Sequence, residues 1–392
     1  VKTKDVTSGG IFLLRYKMNI EEKIGQMLCF AFHGTKYNEQ LNTIITKFKV
    51  GNIVHFARNI ISNEQISKLN REIQRHSAIP TFISLDQEGG MVRRVTSDIT
   101  YLPGAMSLAA CDNAADIYAI NHDVACDLKQ LGFHINYAPV ADINNNPLNP
   151  VINSRSYSDD PQMVARCVIA AFNGIQDAFV LPTAKHFPGH GDTNVDSHLG
   201  LPVVTKTKEV LYSLELIPFR KAIKNGLDGI MISHILYSSL DKYPSSLSYN
   251  IITKLLKEKL GFKGLITTDS LTMGAIWNKY STAEIIELSV NAGCDILVFC
   301  GKADLQMQEE IVQTFMRLVH DGKISIDRIN QSVEKILQYK EKYIGNFKEK
   351  KYHKDLSKRL INQSISKIQG SLLPLQECDK VLIIFPEIKL AS

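Results

Sequence analysis

Eight short apolar runs, separated by segments with helical periodicity, constrain the fold of this 392-residue chain more than any other feature. They are LCFAF (28–32), GNIVHF (51–56), PTFISLD (80–86), HINYAPV (134–140), LPTAKHF (181–187), GIMISHI (229–235), GLITTDS (264–270) and DILVF (295–299). Such alternation is typical of parallel strands joined by crossover helices, and eight strands are the number that closes a barrel. The sequence therefore predicts a (β/α)8 TIM barrel. A doubly wound open sheet is the alternative that periodicity alone leaves open.

Helices between the runs are marked by apolar spacing and by capping residues. Ser62 and Gln65 form a capping-box pattern ahead of an apolar stripe. An earlier stripe at i, i+3, i+4 and i+7 consists of Leu41, Ile44, Ile45 and Phe48. We expect both stripes to pack against the outside of the barrel.

Polar side chains stand at the ends of four of the apolar runs. They are Asp86, the pair Lys185 and His186, His234, and Asp269. One such residue alone is as easily a solvated strand end as a functional group. Because the carboxyl ends of barrel strands meet on one face, where active sites of this fold lie, four of them together predict a site there.

The division of the chain follows from changes in its pattern. Residues 18–347 are predicted to form the barrel, ending in two amphipathic stretches at Leu305–Val319 and Ile326–Tyr343. Residues 348–370 are rich in lysine at their start and indicate a linker with a helix near Leu360–Ile368. Residues 371–392, with the run VLIIF, indicate the start of an incomplete C-terminal α/β domain, and residues 1–17 an N-terminal extension or expression remnant.

Composition excludes several classes of function. The formal charge of +5 comes from 45 basic and 40 acidic residues without a long basic block, which argues against a nucleic-acid partner. No apolar run reaches the eighteen or so residues of a membrane span. The seven cysteines stand singly, as buried thiols do, which favours a reducing, cytoplasmic location over export.

The segment KHFPGHGDTNVDSH (185–198) concentrates three histidines, two aspartates and a lysine after the fifth run. Its spacing matches no familiar zinc pattern, and its glycines do not complete a nucleotide-binding fingerprint. In Asp196-Ser197-His198, however, the aspartate can orient one ring nitrogen and raise the basicity of the other. Such a pair transfers protons near neutral pH.

A carboxylate nucleophile would complete this chemistry. Retaining glycosidases place a nucleophilic carboxylate about 5 to 5.5 Å from a separate proton donor. Asp269, at the end of GLITTDS, is the natural nucleophile in that scheme. Cationic Arg94, Arg155 and Lys185 would keep a carboxylate beside them ionised.

From about Ile20 to Phe347 the sequence resembles the β-N-acetylglucosaminidase branch of glycoside hydrolase family 3. The resemblance depends on five motifs in order: SLDQEGGMVRRV (84–95), NNPLNPVINSRSYSDDP (145–161), KHFPGHGDTNVDSHLGLP (185–202), ISHILYSSLD (232–241) and TTDSLTMGAI (267–276). It departs from the family pattern at Met91, where arginine is common, and we expect altered contacts at the pocket rim.

The resemblance implies roles for individual residues. Asp269 would be the nucleophile, and His198, paired with Asp196, the acid/base. No cofactor or metal would be required. The residues that would hold the sugar's hydroxyls and N-acetyl group are Asp86, Arg94, Arg155, Lys185 and His186. Met273 and His234 would line the same pocket.

The activity so implied is hydrolysis of terminal, non-reducing β-linked N-acetylglucosamine through a covalent glycosyl-enzyme. The expected substrate is an oligosaccharide or muropeptide containing N-acetylglucosamine, in peptidoglycan turnover and cell-wall recycling, with chitin fragments as the alternative. Three other functions stay open: an N-acetyl-β-glucosaminide phosphorylase on the same fold, a non-catalytic sugar-binding barrel, and a metal-dependent amidohydrolase.

Overall fold

Parallel strands close into a ring in the computed structural model of the chain, which describes residues 18–197, 200–301, 304–347, 353 and 355–365. The strands are β1 (Leu28–Phe30), β2 (Asn52–Val54), β3 (Phe82–Leu85), β4 (Ile135–Asn136), β5 (Leu181–Pro182), β6 (Ala184–Phe187), β7 (Val203–Val204), β8 (Gly229–Ile232), β9 (Leu236–Tyr237), β10 (Leu265–Thr268) and β11 (Leu297–Phe299). Their side chains are almost all buried, as expected for strands covered on both faces.

Two parallel sheets make up the ring. One has the order β11-β1-β2-β3-β4-β5 and the other the order β10-β8-β6. Parallel bridges between Val140 and Lys185 and between Thr267 and Ile296 join them at both edges. Because β5 and β6 together form one interrupted barrel strand, the ring contains the eight strands predicted. The (β/α)8 barrel is confirmed, and the open sheet is excluded.

A two-stranded ribbon lies outside the ring. β7 pairs with β9 in parallel, with Val203 opposite Leu236 and Val204 opposite Tyr237. These strands follow the fifth and sixth barrel strands, respectively. The ribbon therefore lies beyond the carboxyl ends of those strands, on the face where the site is predicted.

Helices cover the outside of the ring. They are α1 (Ile20–Met27), α2 (Glu39–Asn42), α3 (Asn63–His76), α4 (Ala105–Ala110), α5 (Ala114–Gln130), α6 (Pro161–Asp177), α7 (Lys208–Ser213), α8 (Leu216–Lys224), α9 (Gly274–Trp277), α10 (Thr282–Ala292), α11 (Leu305–His320), α12 (Ile326–Tyr343) and α13 (Leu356–Gln363). Segments with π-helical hydrogen bonding run through Thr43–Lys47 and Asn250–Lys259. Short 3₁₀ turns occupy Ala57–Asn59, Asn153–Arg155 and Ser245–Leu247. Among the described helices, none is long and apolar enough to span a membrane.

A capping box has two hydrogen bonds between the side chain of one residue and the backbone N–H of the other, and one of these is present ahead of α3. The Ser62 hydroxyl accepts a hydrogen bond from the Gln65 backbone N–H at 3.2 Å. The Gln65 side chain accepts instead from the N–H of Ile61, one residue before the cap, at 2.8 Å. Both bonds satisfy N–H groups at a helix start that have no partner within the helix.

The C-terminal helix begins four residues earlier than predicted. α13 starts at Leu356 and packs its buried Leu356 and Leu360 against α4 and α5. Arg359 adds a two-pronged ion pair with Asp116 of α5, at 2.7 and 2.8 Å. The predicted second domain, residues 371–392, and the predicted extension, residues 1–17, lie outside the described residues, so the domain division stays a prediction.

Candidate active site

A cavity of about 160 Å³ opens at the carboxyl ends of the barrel strands. Its polar lining consists of Asp86, Glu88, Arg94, Arg155, Lys185, His186, His190, Ser197, Asp269 and Ser270. Its apolar lining consists of Val54, Phe56, Val92, Tyr137, Val151, Met231, Met273, Val298 and Cys300. Six of the predicted sugar-binding residues and the predicted nucleophile thus share one cavity.

Lys185 lies at the centre of the charged wall. Its ammonium group is 2.7 Å from Asp86 Oδ1 and 2.6 Å from Glu88 Oε1. Arg94 approaches the other oxygen of Asp86 at 3.6 Å. Burial alone would lower the pKa of Lys185, but Asp86 and Glu88 outweigh it, so the pKa is raised and the group stays charged.

Glu88 is a site residue that the sequence analysis did not single out. Its carboxylate accepts hydrogen bonds from Nε and from the terminal nitrogen of Arg155, at 2.9 and 2.8 Å. Burial alone would raise its pKa, but Arg155 and Lys185 outweigh that effect, and the pKa lies well below its ordinary value. The carboxylate that Arg155 and Lys185 keep ionised is therefore Glu88. The only sequence signal for Glu88 was its place in the SLDQEGG motif.

A second buried carboxylate, Asp142, orients the predicted binding residue His186. Its Oδ2 lies 2.7 Å from His186 Nδ1, and its Oδ1 accepts from the N–H of His186 at 3.1 Å and from that of His190 at 2.6 Å. Burial would raise the pKa of Asp142, but His186 and the hydrogen bonds lower it. An ionised Asp142 holds a proton on His186 Nδ1 and leaves Nε2 for a ligand.

His190 links the binding wall to the loop that follows it. Its ring stacks edge-on against His186, with 5.5 Å between centroids, and its Nε2 lies 3.3 Å from Ser197 Oγ. Burial first and the neighbouring His186 second lower its pKa to about 4. His190 is therefore a neutral, positioned imidazole near neutral pH.

Asp269 extends from the end of β10 into the cavity. Its N–H donates to the carbonyl of Ile232 at 2.9 Å, and its Oδ1 accepts from the N–H of Ser270 at 2.7 Å. Its side chain is half-buried, and Met273 lines the cavity beside it at the start of α9. A half-buried, backbone-oriented carboxylate in a polar cavity is suited to nucleophilic attack.

His234 differs from its predicted position. It is buried behind Asp269, where its Nε2 donates to the carbonyl of Ser270 at 2.8 Å and its Nδ1 lies 2.8 Å from Ser246 Oγ. Met231 on β8 lines the described cavity, whereas His234, two residues beyond the end of β8, is not among its lining residues. The structure thus corrects the prediction that His234 lines the pocket: it supports the segment that carries Asp269.

The predicted proton-transfer pair is described only in part. Asp196 is half-buried, and its carbonyl accepts from the N–H of Gly200 at 3.0 Å. Ser197 lines the cavity, and its carbonyl accepts from the N–H of Ala275 at 3.2 Å. His198 lies outside the described residues, so its pairing with Asp196 stays a prediction.

The chain matches known proteins over most of its length. The model of the glycosyl hydrolase family 3 N-terminal domain matches residues 19–339. Beta-hexosaminidase A of Pseudoalteromonas piscicida is 32% identical over 389 residues, which cover 89% of this chain and 64% of that protein. A beta-hexosaminidase of Haemophilus influenzae is 34% identical, over 71% of this chain and 80% of that one. This chain therefore spans just under two thirds of the Pseudoalteromonas relative.

A solved structure shows the same similarity in three dimensions. It is a glycoside hydrolase family 3 β-N-acetylglucosaminidase from Paenibacillus sp. str. FPU-7, with a TM-score of 0.85 and 37% identity. The superposition covers 90% of this chain and 70% of that one. Together with the family match over residues 19–339, it establishes that this chain belongs to glycoside hydrolase family 3.

Proposed function

We propose that the chain is a retaining β-N-acetylglucosaminidase that removes terminal, non-reducing β-linked N-acetylglucosamine. The observation that carries this proposal is the position of Asp269 in the same cavity as the Asp86–Lys185 pair and the oriented His186. Charged hydrogen-bonding groups suit sugar hydroxyls, and a carboxylate among them suits attack at the anomeric carbon. The names of the Pseudoalteromonas, Haemophilus and Paenibacillus proteins support the choice of an N-acetylated sugar.

The reaction then proceeds in two displacements. The Asp269 carboxylate attacks the anomeric carbon and forms an ester, while the bond from that carbon to the leaving oxygen breaks. In the proposal, His198 gives its proton to that oxygen, and Asp196 stabilises the imidazolium. A water molecule next loses a proton to the neutral His198 and attacks the same carbon, which releases Asp269 and retains the β-configuration.

A comparison of two aryl glycosides tests the activity. Nitrophenyl N-acetyl-β-glucosaminide should be cleaved far faster than nitrophenyl β-glucoside, and NMR should show the β-anomer of the sugar as the first product. Equal rates on both would contradict the specificity, and the α-anomer would contradict the two-step scheme. A chain that binds the sugar without cleaving it would be the non-catalytic barrel.

The same assay distinguishes hydrolysis from phosphorolysis. A neutral imidazole does not repel an anion, so the proposed acid/base admits phosphate as the second nucleophile. Hydrolysis predicts equal rates with and without phosphate and no sugar 1-phosphate among the products. A rate that depends on phosphate, with the 1-phosphate as product, identifies a phosphorylase.

The proposal extends to peptidoglycan fragments as the natural substrate, with chitin fragments as the alternative. Comparing kcat/KM on a muropeptide disaccharide and on a chitin disaccharide distinguishes them. We also propose that the protein works in a reducing compartment such as the cytoplasm. In support, all six cysteines in the described part of the chain are free thiols.

A further inference from the structure

The segment that carries Asp196 and His198 is closed at its base by an ion pair. We call residues 188–202, between β6 and β7, the dyad loop. Asp192 lies on its outgoing arm, and Lys206 lies just beyond its return into β7. The Lys206 Nζ is 3.1 Å from Asp192 Oδ2. This contact ties the two ends of the stretch that contains the proposed acid/base residues.

Lys206 is itself fixed by a buried carboxylate. Glu215, the residue before α8, accepts from Lys206 Nζ at 2.7 Å through an oxygen that also accepts from Asn145 Nδ2 at 2.9 Å. The Glu215 side chain is only 2% exposed, whereas the other two charged groups are about one quarter exposed. We call Asp192, Lys206 and Glu215 the base clamp. It is anchored in the interior, and its charges alternate in sign.

Each arm of the dyad loop is held independently of the clamp. On the outgoing arm, Asn149 Nδ2 donates to the carbonyls of His190 and Gly191 at 2.8 and 3.0 Å. At Gly191 a Cβ atom would lie 1.6 Å from the carbonyl oxygen of Ile143, so only glycine fits there. Just beyond the return arm, Ser239 Oγ donates to the Lys206 carbonyl at 2.6 Å. These bonds position the backbone on either side of the loop, and the Lys206–Asp192 contact of the base clamp joins the two sides.

We propose that Lys206 is a positioning residue: through Asp192 and Glu215 it fixes the base of the dyad loop, and so supports proton transfer to the leaving group by the proposed acid/base pair. The inference rests on the function proposed above. Tying the ends of a loop removes conformations from it, and a proton donor acts only within hydrogen-bond reach of its target. Lys206 is not among the residues that line the described cavity, so we expect its effect to pass through the loop.

A positioning role predicts a defect in proton transfer alone. Lys206→Met leaves two carboxylates facing each other without the cation and loosens the loop. Cleavage of a disaccharide, whose leaving oxygen needs a proton, should slow by about tenfold or more, because part of the rate enhancement from general acid catalysis is lost. Formation of the glycosyl-enzyme from a dinitrophenyl glycoside, which needs little protonation, should change less than about threefold. Lys206→Arg, which can bridge both carboxylates, should restore most of the disaccharide rate.

The experiment measures both substrates with the full chain and with Lys206→Met, Lys206→Arg and Asp192→Asn. Lys208→Met, at an exposed lysine two residues away, is the matched control and should match the parent chain. Thermal unfolding identifies a variant that fails to fold, in which case Asp192→Asn provides the same test. Adding Asp192→Asn to Lys206→Met should cost little more than Lys206→Met alone, because Lys206→Met already breaks the Lys206–Asp192 contact.

The outcomes separate this inference from the proposed function. A parent chain that cleaves neither substrate contradicts the function. An active parent chain whose Lys206→Met variant matches it, or loses the same factor on both substrates, overturns the positioning role. A disaccharide defect in Lys206→Met that Lys206→Arg restores supports it.

Discussion

The Glu88 carboxylate and the Arg155 guanidinium form a two-pronged ion pair in the wall of the cavity, with N···O distances of 2.9 and 2.8 Å. The Glu88 side chain is 5% exposed and the Arg155 side chain 17%. Removing one partner of a buried pair leaves the other charge without compensation, which costs more than the pair contributes when intact. The geometry of the arginine therefore depends on a residue that need not touch the substrate.

Replacing Glu88 by glutamine should lower both stability and activity. We expect the free energy of unfolding to fall by about 3 kcal/mol, because Arg155 and Lys185 lose a shared counter-charge. We expect kcat/KM to fall about tenfold to a hundredfold, the range for losing a hydrogen bond to a charged group. Urea unfolding and steady-state kinetics measure the two effects. Glu258→Gln, at a half-exposed ion pair with Lys254, is the control and should leave the free energy of unfolding nearly unchanged.

His198→Ala should affect substrates according to their leaving groups. General acid catalysis contributes about 10² to 10⁴-fold, and mostly when the departing oxygen is basic. Disaccharide cleavage should therefore fall within that range, while an activated aryl glycoside should show a burst followed by slow deglycosylation. Asp196→Ala should behave as a weaker copy. Equal losses on both substrates without a burst would place the proton donor elsewhere.

Chelation should leave the activity unchanged. Among the described groups at the cavity, His186 pairs with Asp142, Asp86 and Glu88 pair with Lys185, and Glu88 also pairs with Arg155. Prolonged dialysis against a chelator, followed by assay on the aryl N-acetylglucosaminide, measures this. Activity that disappears and returns with zinc would support the metal-dependent amidohydrolase instead.

Two buried histidines should make stability depend on pH in the mildly acidic range. Burial lowers the pKa of His55 and of His190 from 6.5 to about 4. The unfolded chain therefore binds these protons first, and the stability present above pH 6.5 is lost as pH falls towards 4, by about 1.4 kcal/mol per pH unit for each histidine.

His55→Leu isolates one of these contributions. His55 lies edge-on between Phe32 and Phe133, at 5.3 and 5.6 Å, so an apolar side chain suits the position. Relative to the parent chain, the variant should gain stability as pH falls from 6.5 to 4. Urea unfolding at several pH values measures the difference. A stability curve with the same slope in His55→Leu as in the parent chain would contradict the neutral state of His55.

The fold could be predicted from the sequence because the alternation of apolar runs with segments of helical periodicity marks the strands and helices of the barrel. Each apolar run contains its strand, although the strands are shorter than the runs: Asn52–Val54 lies within the run 51–56. Polar residues at run ends also predicted which groups meet, and Asp86, Lys185 and Asp269 do share the cavity.

The supporting residues could not be predicted in the same way. Glu88 is 67 residues from Arg155, and Asp142 is 44 from His186, so their pairing depends on how distant loops approach. The prediction that His234 lines the pocket was wrong for a different reason, since a residue at the end of a strand can face the cavity or the opposite side. His234 lies two residues beyond the end of β8, where the strand pattern no longer fixes the direction of a side chain.

The central claim is that Asp269 forms a covalent bond to the sugar, and mass spectrometry of a trapped intermediate tests it most directly. A suitable probe is an N-acetylglucosaminyl fluoride with a second fluorine on its ring. The anomeric fluoride leaves readily, whereas the ring fluorine slows hydrolysis of the ester that forms on the enzyme. After incubation with this probe, the intact chain should gain the mass of one sugar residue. Peptide mapping should place the addition on Asp269, and Asp269→Ala should gain nothing. An adduct on another residue, or turnover of the aryl glycoside by Asp269→Ala at the parent rate, would contradict the account.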